Sequence, residues 1–172
     1  KSRGNVINPD EMVEKFGTDA FRTYIMFMGP FDQAVAWDTN GLVGVRRFLE
    51  KVWGLQNVIA SEAKQSQKFG SASKGIAASL LAPRNDKTTT LLHQTIKKVT
   101  EDIDAMRFNT AIAKMMELVN EMSKTEKLQA ISYKLLLKIL SPFAPHICEE
   151  LWNILGNKKL LADEFWPKHD ME

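Results

Sequence analysis

Apolar side chains recur at intervals of three and four residues along most of the chain, the spacing that lines one side of an α-helix. Strand-like alternation of apolar and polar residues is almost absent. The pattern therefore predicts an all-α fold, with an up-and-down helix bundle from about residue 40 and a small helical stem before it. The first predicted helix runs from about 9 to 16, and the apolar stripes that mark the others lie at 21–28, 42–59, 92–106, 108–122, 128–139 and 147–155.

Capping residues and helix breakers predict where several of these helices begin and end. Asn8 precedes a proline and two carboxylates, which is typical of a helix start, and Gly17 supplies a left-handed stop. Thr18 and Asp19 are predicted to cap the second helix, and Asp38 the third. Later boundaries are indicated by Ser141-Pro142, Pro145 and Gly156.

Composition allows one good hydrophobic core, or one core and a small satellite unit, in 172 residues of which 44% are hydrophobic. The net charge of +2 gives no overall positive field, so a nucleic-acid partner would need a local basic patch. No apolar run approaches the roughly 18 residues that cross a bilayer. Cys148 is the only cysteine, which excludes an internal disulfide, fits a reducing cytoplasm and predicts a buried thiol.

The first residues of the chain form a short basic run, KSRGN at 1–5, able to set an ammonium group and backbone N–H groups against phosphate. VINPDE at 6–11 and FGTDAFR at 16–22 follow it. This ordered run resembles the segment that follows the KMSKS signature of class I aminoacyl-tRNA synthetases. Because the chain has no initiator Met, we expect it to be a piece of a longer protein.

Later blocks narrow the resemblance to one group of these enzymes. MGPFDQ at 28–33, RRFLEKVW at 46–53, RFNTAI at 107–112 and SPFAPHICEELW at 141–152 are similar to bacterial leucyl-tRNA synthetases. The resemblance covers about 1–59 and 88–167. It implies the end of the KMSKS loop and stem-contact helices at 1–39, a helical anticodon-binding bundle at 40–167, and a tail at 168–172.

The resemblance also implies an activity for the parent enzyme, which would join leucine to tRNA(Leu) using ATP and Mg²⁺. Lys1 and Ser2 would be the last two letters of the signature and remnants of the ATP site, or else only a frayed basic terminus. The HIGH signature and the nucleotide-binding sheet are absent from the sequence. We therefore expect no catalytic residue, metal or cofactor in this fragment, which would bind tRNA as a cytoplasmic monomer without catalysis.

The segment 60–86 departs from the family pattern, because Ala, Ser, Lys and Gln replace the apolar stripe. We expect an inserted, flexible segment, parts of which resemble peptides encoded by palindromic repeat elements in some intracellular bacteria. Such an insertion is tolerated because each doubling of a surface loop costs only about 0.6 kcal/mol. The alternative is a tRNA-contacting arm carrying Lys64, Lys68, Lys74 and Arg84.

Candidate tRNA contacts lie in two places. Arg46, Arg47 and Lys51 share part of one predicted helix face, where they form a phosphate-binding patch or are simply solvated. Arg107 stands at a helix start beside Asn109, for which helix capping is the competing role. A basic ridge of Lys97 and its neighbour Lys98 could extend this second group. The carboxylates expected to weaken that ridge are Glu101, Asp102 and Asp104.

Other conspicuous side chains are interpreted structurally. His146 and Cys148 diverge on a helix and do not suit zinc, so His146 is expected to be hydrogen-bonded or on the surface. Although tryptophans can stack on bases, Trp53 and Trp152 are expected in the core or lining a groove, while Trp166 is left open. Four methionines are expected to pack in the interior: Met106, Met115, Met116 and Met122.

Two rival functions remain open from the sequence. A helical protein-interaction scaffold would use its apolar grooves rather than its cations. The equivalent domain of an isoleucyl-, valyl- or methionyl-tRNA synthetase shares the stem but usually differs in the later blocks.

Overall fold

The computed structural model describes residues 7–30, 32–68, 87–125 and 128–169. Within these ranges the chain is helical and has no strand, which confirms the all-α prediction. The helices are α1 (Pro9–Phe16), α2 (Thr18–Phe27), α3 (Thr39–Lys68), α4 (Lys87–Asp104), α5 (Phe108–Met122), α6 (Ala130–Leu140), α7 (Pro145–Ile154) and the short 3-10 helix η1 (Leu161–Asp163). None of these helices combines the length and apolar character that crossing a bilayer requires.

Side-chain caps fix the starts of α1 and α3 as predicted. Asn8 Oδ1 accepts a hydrogen bond from the Asp10 N–H at 3.1 Å. Asp38 accepts from two N–H groups in the first turn of α3, those of Asn40 at 2.9 Å and Gly41 at 3.2 Å. These bonds satisfy donors that have no partner within the helix itself.

The start of α2 differs from the prediction. Gly17, with φ of +88°, stands at its N-terminal boundary, and neither Thr18 nor Asp19 caps the helix. Asp19 is buried and accepts instead from the Ile147 N–H in the first turn of α7, at 2.7 Å. The cap prediction was wrong because this carboxylate satisfies a different helix, brought next to α2 by folding.

Helix α3 is longer than its apolar stripe. The prediction ended it at Ile59, but the backbone stays helical to Lys68. Ala, Glu, Lys and Gln are strong helix formers, so these residues continue a helix that packing has already started. Residues 69–86 lie outside the described ranges, so the predictions of an insertion or a tRNA-contacting arm stay predictions there.

The turn between α4 and α5 corrects one residue of the predicted interior. Helix α4 ends at Asp104, and Met106 adopts a left-handed conformation with φ of +57° and is 54% exposed. Met115 and Met122 are fully buried, and Met116 packs against the core, as predicted. Met106 was misplaced because the apolar spacing of α4 was extended through a turn.

One hydrophobic cluster joins the stem helices to the bundle. Ala20 and Tyr24 of α2 belong to the same core as the buried faces of α3 to α7. A buried hydrogen bond from Tyr133 Oη to the Val52 carbonyl, at 2.8 Å, ties α6 to α3. Burial raises the pKa of this phenol, which therefore stays a donor at neutral pH.

The residues after α7 fold back onto the bundle. The Trp152 indole N–H donates to the Lys159 carbonyl at 3.1 Å, and the ammonium groups of Lys134 and Lys138 lie 5.4 and 5.7 Å from the Trp152 ring. Trp152 is 5% exposed, which confirms its predicted place in the core. Trp166 is partly exposed and donates to Thr100 Oγ1 at 2.8 Å.

Candidate functional site

The three predicted cations of α3 do not all point to one place. Arg46 donates to the Glu50 carboxylate at 3.0 Å and to the Lys15 carbonyl of α1 at 3.1 Å. Lys51 instead reaches α5 and donates to Asn120 Oδ1 at 2.7 Å. Arg47 is exposed beside Arg46. Arg46 and Lys51 therefore reach toward different neighbouring helices, α1 and α5. The three cations share a helix face in the sequence, but their side chains do not converge on one place.

A groove of about 400 Å³ opens next to Arg46. Trp53 lines it and is 40% exposed, which confirms the groove-lining prediction. His146 also lines this groove, with Nδ1 2.8 Å from Asp19 Oδ1. Because a carboxylate oxygen only accepts, Nδ1 carries the proton, and the prediction of a hydrogen-bonded histidine is confirmed.

The turn between α4 and α5 is organised around one buried carboxylate. Lys98 Nζ donates to both Asp102 oxygens, at 2.6 and 2.7 Å, and Arg107 Nε donates to Oδ1 at 2.9 Å. Thr110 Oγ1 donates to Oδ2 at 2.6 Å. The Asp102 side chain is 0% exposed, whereas those of Lys98 and Arg107 are 43% and 53% exposed. A buried anion thus holds two cations at the surface.

The charge state of Asp102 follows from these contacts. Burial by itself raises the pKa of a carboxyl group. The hydrogen bonds from Lys98, Thr110 and Arg107 together outweigh burial and lower the pKa of Asp102 below its usual value. The group is therefore ionised at neutral pH, and its attraction to both cations is permanent under physiological conditions.

Two further candidates, Asn109 and Lys97, lie near this turn. Arg107 occupies the N-cap position of α5 and Asn109 lies inside the first turn, so the alternative role of Asn109 as the cap was wrong. A groove of about 450 Å³ beside the turn is lined by Arg107, Asn109 and Met106. Lys97 is half-buried on α4, next to Lys98. The structure therefore groups Arg107 with Asn109 and places Lys97 on the adjoining helix.

Sequence reasoning counted Asp102 among the carboxylates that weaken a basic ridge, and so missed its role as the centre of the cluster. A signal was present in the spacing of α4. Its buried face includes residues that alternate at intervals of four and three: Thr88, Leu92, Thr95, Val99 and Asp102. An aspartate on a buried face requires hydrogen-bond partners, and Lys98 stands one turn before it.

Lys1 and Ser2, the predicted remnants of the ATP site, lie outside the described residues. In the parts of the chain that the structure describes, no three His, Cys, Asp or Glu side chains are grouped closely enough to hold a metal ion. Cys148 is fully buried, as predicted, and burial raises the pKa of its thiol well above the usual value. A protonated, enclosed thiol is a poor nucleophile.

Comparison with known proteins gives the same assignment over nearly the whole chain. A leucine-tRNA ligase of Rhodopirellula baltica is 44% identical over 170 residues, which is 99% of this chain and 17% of that protein. The leucyl-tRNA synthetase agnB2 of Agrobacterium radiobacter K84, solved in a ternary complex with tRNA and LeuAMS, matches with a TM-score of 0.78 and 32% identity. That match covers 99% of this chain and 22% of the solved one.

A family description matches the second half of the chain. Residues 87–172, from the start of α4 onward, match the model of the anticodon-binding domain of tRNA ligase. This range includes Asp102 and the cations around it. The chain therefore belongs to the family of anticodon-binding domains of tRNA ligases.

Proposed function

We propose that this chain is the tRNA-binding helical part of a leucine-tRNA ligase. The observation that supports it most is the 44% identity to the Rhodopirellula baltica leucine-tRNA ligase over 99% of the chain, stem helices included. The Agrobacterium radiobacter relative was solved with tRNA, which makes tRNA the natural ligand to test. Binding rather than catalysis would be this region's share of the reaction.

The proposed contacts are to the tRNA backbone. The net charge of +2 is too small for a diffuse positive field, so affinity would come from local groups of cations. Such contacts to phosphate fix position and orientation without reading bases. The proposed contact residues are Arg46, Arg47, Lys51, Lys97, Arg107 and Asn109.

The activity of the whole enzyme belongs to the same proposal, because this chain spans 17% of the length of the curated relative. That enzyme would use ATP and Mg²⁺ to activate leucine and transfer it to tRNA(Leu). Lys1 and Ser2 would contribute to its ATP site, whereas the fragment alone would be inactive. We expect the enzyme to act in the cytoplasm, and the fragment to be a monomer.

A binding experiment tests the proposal on the chain itself. The affinity of the 172-residue chain for transcribed tRNA(Leu) is measured by fluorescence anisotropy at several salt concentrations. Two or more phosphate contacts predict a loss of at least about tenfold between about 50 and 200 mM salt. Affinity no higher than that of an acidic helical protein, with no salt dependence, would contradict tRNA binding.

Aminoacylation by the full-length parent tests the amino acid. Leucine should be attached to tRNA, whereas isoleucine, valine and methionine should not be. Charging with one of those three instead would assign the chain to another class I synthetase.

A further inference from the structure

We propose that Asp102 is a positioning residue, a buried carboxylate that holds Lys98 and Arg107 together as a clamp for one phosphate of an RNA backbone. The inference rests on the proposed function, since it assigns a place and a mechanism to tRNA binding. The Asp102 carboxylate would not touch RNA. Its role would be to fix two cations that do.

The geometry places the anion inside and the cations outside. Lys98 Nζ and Arg107 Nε both donate to the same oxygen, Asp102 Oδ1, at 2.6 and 2.9 Å. The two cationic groups are therefore held within a few ångström of each other. Asp102 is 0% exposed, while roughly half of each cationic side chain faces solvent. An approaching phosphate would meet the two cations and not the carboxylate.

Arg107 donates to Asp102 through Nε, and this leaves the outer part of its guanidinium group able to bind a second anion. Arginine bound through Nε still has the terminal nitrogens of its planar guanidinium, and these can donate to phosphate oxygens in a forked geometry. Long cationic side chains normally lose rotamer freedom when they bind a ligand. Because Asp102 already restricts Lys98 and Arg107 in the free protein, less entropy is lost on binding.

Two more hydrogen bonds attach the Asp102 cluster to α4 and α5. The Arg107 N–H donates to the Asp102 carbonyl at 2.7 Å, and Thr110 Oγ1 joins the carboxylate to the first turn of α5. The cluster is therefore anchored to both α4 and α5. A rigid pair of cations can bind a backbone at one fixed position, which mobile surface lysines cannot.

The charges around the clamp, with its neighbouring carboxylates counted, still sum to a positive value. Asp104, two residues beyond Asp102, lines a different groove with Pro142 and Trp166. Glu101 is exposed on α4, one turn from Lys97 and Lys98. Lys97, Lys98 and Arg107 supply three positive charges at this surface. Asp102 and Glu101 supply two negative charges, which leaves a formal net charge of +1.

The test compares two substitutions that change the net charge equally. Asp102→Asn and Asp104→Asn each remove one negative charge, so simple electrostatics predicts equal or tighter tRNA binding for both. Positioning predicts that Asp102→Asn weakens the affinity of the chain for tRNA(Leu) about fivefold relative to Asp104→Asn. The dependence of log Kd on log salt should also fall by about 1 per lost phosphate contact.

A second pair of variants keeps the test valid if Asp102→Asn does not fold. Arg107→Lys retains the charge on a half-exposed side chain but loses the fork that reaches Asp102 and phosphate together. It should weaken binding about threefold, whereas Arg22→Lys, an exposed site on α2, should leave binding unchanged. Circular dichroism at the assay temperature identifies the folded variants.

The outcomes separate the two proposals. If the wild-type chain binds tRNA and the folded Asp102→Asn and Arg107→Lys variants bind as well as their controls, the positioning role is overturned and the proposed function stands. If the wild-type chain shows no salt-dependent binding, both are overturned. Weaker binding by the folded variants of the cluster, with unchanged controls, supports the clamp.

Discussion

Two buried aspartates, Asp19 on α2 and Asp102 on α4, accept hydrogen bonds from different kinds of partner. Asp19 of α2 accepts from the Ile147 backbone N–H at 2.7 Å and from His146 Nδ1 at 2.8 Å. Asp102 of α4 accepts only from side chains, two of them cationic and half-exposed. Both carboxylates join two helices, but only Asp102 holds cationic lysine and arginine side chains at the surface.

The difference lies in what happens when the carboxylate is lost. A backbone N–H in the first turn of a helix cannot move away, so removing Asp19 leaves that donor without its partner. The cations around Asp102 can rotate outward and regain water. Asp19 is therefore expected to determine how α7 docks on α2, and Asp102 to determine where two surface charges stand.

The largest expected effect on stability is that of Asp19→Ala. It removes the acceptor of the Ile147 N–H and of His146, and should lower the free energy of unfolding by about 2–3 kcal/mol. Urea denaturation followed by circular dichroism measures this change. Asp10→Ala, at an exposed position in the first turn of α1, should cost less than about 1 kcal/mol. Equal losses for both variants would contradict the role of Asp19 as a cap for α7.

Asp102→Ala should destabilise the fold by a smaller amount, about 1.5–2 kcal/mol, because its cationic partners can be rehydrated. The same urea titration measures it, with Asp104→Ala as the control, which should change stability by less than about 0.5 kcal/mol. The affinity for tRNA(Leu) separates the two aspartates further. Asp102→Ala should weaken this affinity, whereas the folded Asp19→Ala variant should bind tRNA within about twofold of the wild type. Loss of binding in both would remove the distinction.

Acid should weaken the Asp102 contacts in a predictable direction. The pKa of Asp102 is lowered in the folded state, so its stabilising effect is complete above the unfolded value of about 4 and is lost as the pH falls through the folded value. The difference in unfolding free energy between the wild type and Asp102→Asn should be largest near neutral pH and shrink below about pH 4. Urea titrations across this range measure it. If this difference in unfolding free energy did not change with pH, the negative charge of Asp102 would make no contribution to stability.

Most of the fold could be predicted because apolar periodicity is a local property of the sequence. The stripes of α4 and α5, and the caps at Asn8 and Asp38, need only neighbouring residues to be recognised. Met106 shows the limit, since periodicity does not mark the residue where a helix gives way to a turn. The longer α3 shows the converse, where helix propensity extends an element beyond its apolar stripe.

The candidate site could be predicted less completely, because its geometry depends on distant contacts. Asp19 was assigned to the wrong helix, since its partner lies 128 residues away in the chain. Arg46 and Lys51 share a helix face in projection, yet α1 and α5 draw them apart. Asp102 was recognisable as a carboxylate on a buried face, but its binding of Arg107 requires the turn to be folded.

The smallest expected effect, that of His146→Ala, separates the two contacts of Asp19. The imidazole is 69% exposed, and its loss leaves the bond from the Ile147 N–H to Asp19 in place. We expect a loss of only about 0.5–1 kcal/mol, the usual net contribution of one hydrogen bond. Urea denaturation of His146→Ala, Asp19→Ala and the double variant measures how the contacts combine. If the histidine acts only through Asp19, its substitution costs nothing more once Asp19 is gone. A loss as large as that of Asp19→Ala would mean that the imidazole, and not the helix cap, is what holds α7 against α2.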